Sequence, residues 1–239
     1  MKTAGVKTAG VKTAATKTPM LSVIIPALNA ATTLCATMAS VAGDPVAETV
    51  VIDGGSTDAT AELAAALGAR VIRVGRGRGV QIAAGVAASA GPWLLVLHAD
   101  TRLGTGWREA AVRHMHACPD RAGYFGFLLD SRAPEARRLE RLVRWRCRVA
   151  ALPYGDQGLL IPRDLLSAVG GVRPLPLMED VDLVRRLGRR RLVGLDASAL
   201  TSAEKWEREG WRRRSARNLV CLSLYLIGVP PPIIARLYA

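Results

Sequence analysis

Apolar residues along this chain gather in short unbroken runs rather than alternating with polar ones. LSVIIPALN at 21–29, ETVVIDGGS at 48–56, RVIRV at 70–74 and PWLLVLH at 92–98 each read as a strand. Between them, residues 30–42, 58–67, 81–89 and 108–117 carry helix formers, with Leu34, Met38 and Val41 spaced along one helical face. Ser56 or Thr57 suits the cap of the second of these helices, and Gly68 its stop. Strands alternating with helices across short loops predict an α/β fold, a mostly parallel sheet with helices on both faces. Strands apolar at every position are what covering both faces requires. Ligands of such sheets bind beyond the carboxyl ends of the strands, and Asp53 and Asp100 stand at two of those ends.

The second half is less regular. Residues 125–129, 158–162 and 192–195 read as strands, 134–151 as an Arg-rich amphipathic helix and 179–187 as a helix. Residues 206–227 begin basic and aromatic and end apolar. The opening KTAGVKTAGVKTAATKT repeats a five-residue unit with too little apolar surface to fold, so 1–19 is expected to be a disordered tail.

Charge adds a partner class. With 33 Lys+Arg against 20 Asp+Glu in 239 residues, the net charge of +13 favours anionic partners: nucleotides, nucleic acid or an acidic membrane surface. Only 5% of residues are aromatic, which argues against a nucleic-acid-binding face. Cys35, Cys118, Cys147 and Cys221 form no CxxC pair, so reduced thiols and a cytoplasmic location are expected; the N-terminus lacks the apolar core of a secretory signal.

Four motifs could carry chemistry. Asp53-Gly54-Gly55-Ser56-Thr57-Asp58 places glycines and carboxylates in a strand-to-helix turn, where backbone can approach a ligand and Asp53 can accept from a ribose hydroxyl or a base N–H. Gly75-Arg76-Gly77-Arg78-Gly79 precedes a helix and suits a phosphate or diphosphate. His98-Ala99-Asp100 offers a carboxylate to a hard divalent cation, with His98 either a second ligand or a ribose partner. Met178-Glu179-Asp180-Val181-Asp182 sets carboxylates at the start of a helix, where one can act as a general base. The same cluster could serve only as a favourably charged helix N-terminus.

In this order PALN, DGGSTDAT, GRGRG, HAD and MEDVDL resemble family 2 glycosyltransferases of the GT-A (Rossmann-like) fold, over roughly residues 20–200. The chain looks most like small bacterial members with HAD in place of DxD and a GDQG motif, here Gly155-Asp156-Gln157-Gly158. The resemblance implies a metal-dependent inverting transfer of a sugar from a nucleotide-diphosphate donor, UDP-linked by family frequency, to an acceptor hydroxyl. It implies a donor-binding half at 20–117, an acceptor and catalytic half at 118–200, and a C-terminal helical region at 201–239. Pro26, Ala27, Asn29 and Asp53 would line the nucleobase and ribose pocket, and Arg76, Arg78 and His98 would lie along the nucleotide. Asp100 would hold Mg²⁺ or Mn²⁺, Asp180 would be the base with Glu179 beside it, and Asp156 and Gln157 would sit near the sugar or acceptor. No histidine follows residue 116, so a late histidine ligand is missing.

A sugar-phosphate nucleotidyltransferase is the sister reading, but PALNAATTL lacks the glycine and lysine that class carries in its first loop. The apolar run 219–229 is about half the ~20 residues needed to span a bilayer. It is expected to pack on the sheet domain; the sharper alternative is peripheral contact with an anionic inner membrane face.

Overall fold

The computed structural model describes residues 20–238. The repeat tail at 1–19 lies outside the described residues. The chain runs β1 (Leu21–Ala27), α1 (Ala31–Val41), β2 (Val46–Asp53), α2 (Thr60–Ala66), β3 (Arg70–Arg73), α3 (Arg78–Ala88), β4 (Trp93–Val96), β5 (Thr101–Leu103) and α4 (Trp107–Ala117). It continues through β6 (Ala122–Asp130), α5 (Pro134–Ala150), β7 (Leu159–Pro162), α6 (Arg163–Ala168), α7 (Glu179–Leu187), β8 (Leu192–Ser202), α8 (Glu204–Glu209), α9 (Trp211–Leu226) and α10 (Pro231–Tyr238).

The strands form one sheet of order β3-β2-β1-β4-β7-β6-β8-β5. β1 pairs in parallel with β2 and β4, β2 with β3, and β6 with β8, while β7 is antiparallel to both β4 and β6. β5 is antiparallel to β8. The expected α/β, mostly parallel sheet is therefore present. Its alternating burial explains the unbroken apolar runs. Val23, Ile25 and Val51 meet Leu34, Met38, Ala64 and Trp107 of α1, α2 and α4 on one face. Ile24, Val50, Ile52 and Leu94 meet α3, α6 and α7 on the other, through Ala84, Leu166 and Leu183. Strands β1, β2 and β4 thus feed two cores, and a polar side chain inside them needs a partner, as Ser22 has in Glu48.

Three expectations are revised. β6 and β8 extend well beyond the stretches read as strands, and β5 is a short strand where the sequence predicts no element. These segments alternate or sit half-buried beside polar residues, as in GLDASALTS, so no apolar run marks them. α9 does not pack broadly on the sheet. Only Arg214 and Cys221 of it are buried, while Leu219, Val220 and Leu226 are exposed, and Ile227 just beyond it is 77% exposed. α8 is what reaches the domain: Trp206 joins Phe127, Val143 and Cys147 in a third apolar cluster with α5.

α3 approaches β1 and β2 through Gly85, whose position leaves no room for a side chain. A Cβ there would meet Ile24 and lie 2.6 Å from Ile52 Cδ1. Gly85→Ala should overpack this contact by about 1–3 kcal/mol, against about 1 kcal/mol gained in helix propensity. A lowered urea midpoint is expected; a raised one contradicts so close an approach.

Candidate functional site

The sequence-predicted residues meet along the carboxyl edge of the parallel strands. At the end of β1, Pro26 and Ala27 are buried, and Asn29 takes a left-handed φ of 49°. Asn29 N–H donates to Ser56 Oγ at 2.9 Å, and Asn29 Oδ1 accepts the Thr57 N–H at 2.9 Å. The PALN loop and the DGGSTD turn are therefore laced into one wall. α2 starts at Thr60, later than expected, and Ser56 and Thr57 do not cap it. The N-cap is Ala59, without a side-chain cap; Asp58 just before it accepts the Thr60 N–H at 3.1 Å and reaches across to the Ala31 N–H at 3.1 Å.

Asp53 is 1% exposed, its carboxylate accepting the Ser56 N–H at 3.1 Å with Arg73 Nε 3.9 Å away. Beside it, Gln81 Nε2 donates to Ala27 O and Ile52 O, each at 2.8 Å. This buried amide bridges the ends of β1 and β2. A Cβ on Gly54 would come within 2.9 Å of it, which is why a glycine follows Asp53.

The Gly-Arg loop is shorter than expected because α3 begins at Arg78. Arg76 is exposed, whereas Arg78 turns inward, its Nη1 3.3 Å from Glu179 Oε1. Gly79 lets this helix start pass under residues 173–175: a Cβ would lie 2.5 Å from Arg173 O.

The HAD turn follows β4 and is held from several sides. Ala99 O accepts the Thr37 hydroxyl at 3.0 Å, and Asp100 O accepts the Ser202 N–H at 2.9 Å. Thr101 and Thr201 hydroxyls lie 2.9 Å apart. Asp100 Oδ2 accepts from Lys205 Nζ at 3.0 Å. Burial alone would raise the Asp100 carboxyl, but Lys205, His98 and Arg78 outweigh it and hold it below the usual aspartate range. Burial and then Arg78 push the His98 imidazole down to about 4, so it is neutral at ordinary pH, with one ring nitrogen a donor and the other an acceptor.

The turn Gly155–Gln157 packs directly on this histidine. A Cβ on Gly155 would lie 2.5 Å from His98 Nε2 and 3.4 Å from Asp180 Oδ2. Gly155 N–H donates to Asp180 Oδ2 at 2.9 Å. Asp180 is the second residue of α7, after Met178 in a left-handed conformation, φ 67°. That uncommon backbone turns Glu179 inward, 1% exposed, and leaves Asp180 at the opening. Neither Glu179 carboxylate oxygen has a hydrogen bond; burial raises its pKa against the pull of Arg78. The third carboxylate, Asp182, is a fastener: Arg173 and Arg186 donate to it at 3.0 and 2.8 Å. An apolar cavity lined by Ile82, Val96, Tyr124, Leu159 and Leu183 opens against His98, Glu179 and Asp180.

Gln157 does not face the opening. It is 2% exposed, its Nε2 donating to Phe125 O at 3.0 Å and its Oε1 accepting from Tyr154 N–H at 3.2 Å and Arg146 at 3.4 Å. The expected contact with sugar or acceptor is replaced by a role in tying the turn to β6 and α5. Gln81 and Lys205 were missed. Gln81 sat inside an apolar helix face, and Lys205 was one base among many; its place just past a strand end was its only signal.

Among the described residues no three His, Cys, Asp or Glu side chains cluster as a ready metal site. Asp100 is a single hard oxygen donor, so the donor set fits a divalent cation shared with a ligand's phosphates rather than one held by protein alone.

The model of the family described as Glycosyl transferase family 2 matches residues 22–148. A PGL/p-HBAD biosynthesis glycosyltransferase of Mycobacterium tuberculosis (strain ATCC 25618 / H37Rv) is 43% identical over 94 residues, 36% of this chain and 37% of the relative. The chain thus spans little over a third of that relative's length. Glucosyl-3-phosphoglycerate synthase from M. tuberculosis, solved with Mn²⁺, UDP and glucosyl-3-phosphoglycerate, is similar in fold at 22% identity and TM-score 0.54, over 77% of this chain and 70% of its own. S. aureus TarS 1-349 with UDP-GlcNAc is similar at 16% identity and TM-score 0.60, over 77% and 58%.

Asp156 gives the site a pH signature. Burial pushes its carboxyl up to about 6 against Arg146, with Asp180 and Asp100 adding to the rise. The folded protein therefore keeps a proton that the unfolded chain releases near pH ~4. The stability contributed by this group is full below that value and lost as pH rises through about 6. In urea titrations, Asp156→Asn should gain on the wild type as pH rises from about 4 to about 7. A constant difference contradicts the raised value.

Proposed function

Because the chain belongs to glycosyl transferase family 2, we propose that this glycosyltransferase moves a sugar from a nucleoside-diphosphate donor, UDP-linked, to an acceptor hydroxyl with inversion at the anomeric carbon. The observation that carries this reading is the convergence of Asp100 and Asp180 around His98 and Gly155 at the open edge of the sheet. The donor's base lies along the wall of Pro26, Ala27, Asn29 and Asp53, and its diphosphate along the start of α3 at Arg78, with Arg76 at the rim. His98, neutral and half-buried, serves the donor as a hydrogen-bond partner.

Asp100 would hold Mg²⁺ or Mn²⁺ against the diphosphate oxygens, and when bound such an ion offsets charge on the departing nucleotide. Structures of similar fold solved with Mn²⁺ or Mg²⁺ together with UDP support a divalent cation as cofactor. Asp180 removes the acceptor proton as the new glycosidic bond forms and the bond to the diphosphate breaks. Glu179 is one residue away but faces inward against Arg78, so it shapes the field at the site. The backbone N–H of Gly155 holds Asp180 in a fixed orientation, which is the positioning a general base needs.

A second reading concerns the partner surface. The outward stripe of α5 carries Leu142, Trp145 and Val149 among Arg141, Arg144 and Arg148, and α9 adds Leu219, Val220 and Arg212. Exposed apolar and basic residues on helices suit an anionic lipid surface. No described helix is long and apolar enough to cross a membrane.

Two experiments follow. Asp180→Asn should lower kcat by about 10²–10⁴-fold while thermal-shift binding of UDP with Mn²⁺ is retained; loss of turnover in Glu179→Gln but not in Asp180→Asn would reassign the base. Anionic vesicles, but not neutral ones, should sediment the wild type, and Trp145→Glu should release it. A wild type that stays in solution with both removes the lipid reading.

A further inference from the structure

Lys205 is the second residue of α8, the short helix after β8. Two contacts seat it over the HAD turn. The Ser202 N–H donates to Asp100 O at 2.9 Å, drawing the end of β8 onto the turn, and Lys205 Nζ lies 3.0 Å from Asp100 Oδ2. The lysine side chain is 53% exposed and the aspartate 22%, so the ammonium covers the outer side of this carboxylate. Arg78, also partly exposed, pairs with Glu179, and its charge is felt by Asp180 and Asp100 as well. Two cations of the chain, one in contact and one through its field, thus act on Asp100.

The charge on the site calls for them. Asp100, Asp156, Glu179 and Asp180 gather here, and an anionic diphosphate placed among them is repelled unless positive charge accompanies it. A divalent ion held by Asp100 would have part of its charge offset by that carboxylate, and the departing diphosphate gains negative charge as its bond to the sugar breaks. Lys205 and Arg78, already paired with carboxylates of this set, are placed to supply positive charge beyond that of one ion. A lysine suits this place, because its ammonium is a mobile point charge on a flexible stem.

We propose that Lys205 is a diphosphate-binding residue: it leaves Asp100 when the donor arrives and places its ammonium on the phosphate oxygens opposite Arg78. This rests on the nucleotide-sugar reading above. Part of the diphosphate affinity then belongs to the chain and survives removal of divalent ions.

Calorimetry of UDP, GDP, CDP and dTDP, and of the nucleoside of whichever binds, tests this in EDTA and in Mn²⁺. The wild type should bind one diphosphate in EDTA. Lys205→Met should weaken that binding about tenfold or more, the loss of one charge-assisted contact, while Lys205→Arg restores most of it. Binding of the nucleoside should be the same in all three proteins. Diphosphate binding unchanged in Lys205→Met overturns the proposal and leaves the nucleotide-sugar reading standing. An equal loss of nucleoside binding overturns it as well, because the lysine would then support the fold of the site. A wild type that binds no diphosphate in either condition overturns both readings.

Discussion

The site depends on balancing like charge at one sheet edge. Four carboxylates are brought together here, Glu179 buried and Asp100, Asp156 and Asp180 half-buried, and such a set is tolerated only with cations beside it. Arg78, Lys205 and, beside Asp156, Arg146 are those cations, and each comes from a different part of the chain. Arg78 opens α3 on the donor side, and Lys205 stands at the start of the C-terminal helices. The balance is incomplete: Glu179 retains no hydrogen bond and one oxygen of Asp156 is orphaned. Such unsatisfied groups are costly in a finished core, and they fit a site that is completed by its substrates.

The sheet topology makes this meeting of residues possible. The parallel strands β1, β2 and β4 deliver PALN, DGG and HAD to one edge, as their apolar runs require. β7 then inserts antiparallel between β4 and β6, so the turn that precedes it, Gly155–Gln157, lies against His98. A parallel strand there would have put that turn at the opposite edge. Glycines mark the tight points: Gly155 under His98, Gly54 under Gln81 and Gly79 under the 173–175 segment.

Much of the donor half was legible because burial on both faces writes itself into sequence as unbroken apolar runs. Strand ends, and hence Asp53 and Asp100, followed from those runs. The acceptor half was harder. β8 carries Gly194, Asp196, Ser198 and Thr201 because much of it is only half-buried, and such a strand has no strong period. Side-chain direction was not legible either. Gln157 lies in a motif that suggests substrate contact, yet its amide is used up within the protein; Glu179 and Asp180 are adjacent, and only the left-handed Met178 decides which faces out. Lys205 acquires meaning only when the end of β8 folds back over the HAD turn, a long-range contact that no local pattern encodes.

The central claim is that Arg78, Asp100 and Lys205 form the seat of a donor diphosphate with Asp180 open to the acceptor. A crystal structure with the bound nucleoside diphosphate and Mn²⁺ tests it most directly. The account expects the phosphates between Arg78 and Lys205, the cation on Asp100, and Asp180 facing the space beyond the terminal phosphate. A nucleotide bound with its phosphates out of reach of Asp100, or with Asp180 facing away from the space beyond them, would contradict it.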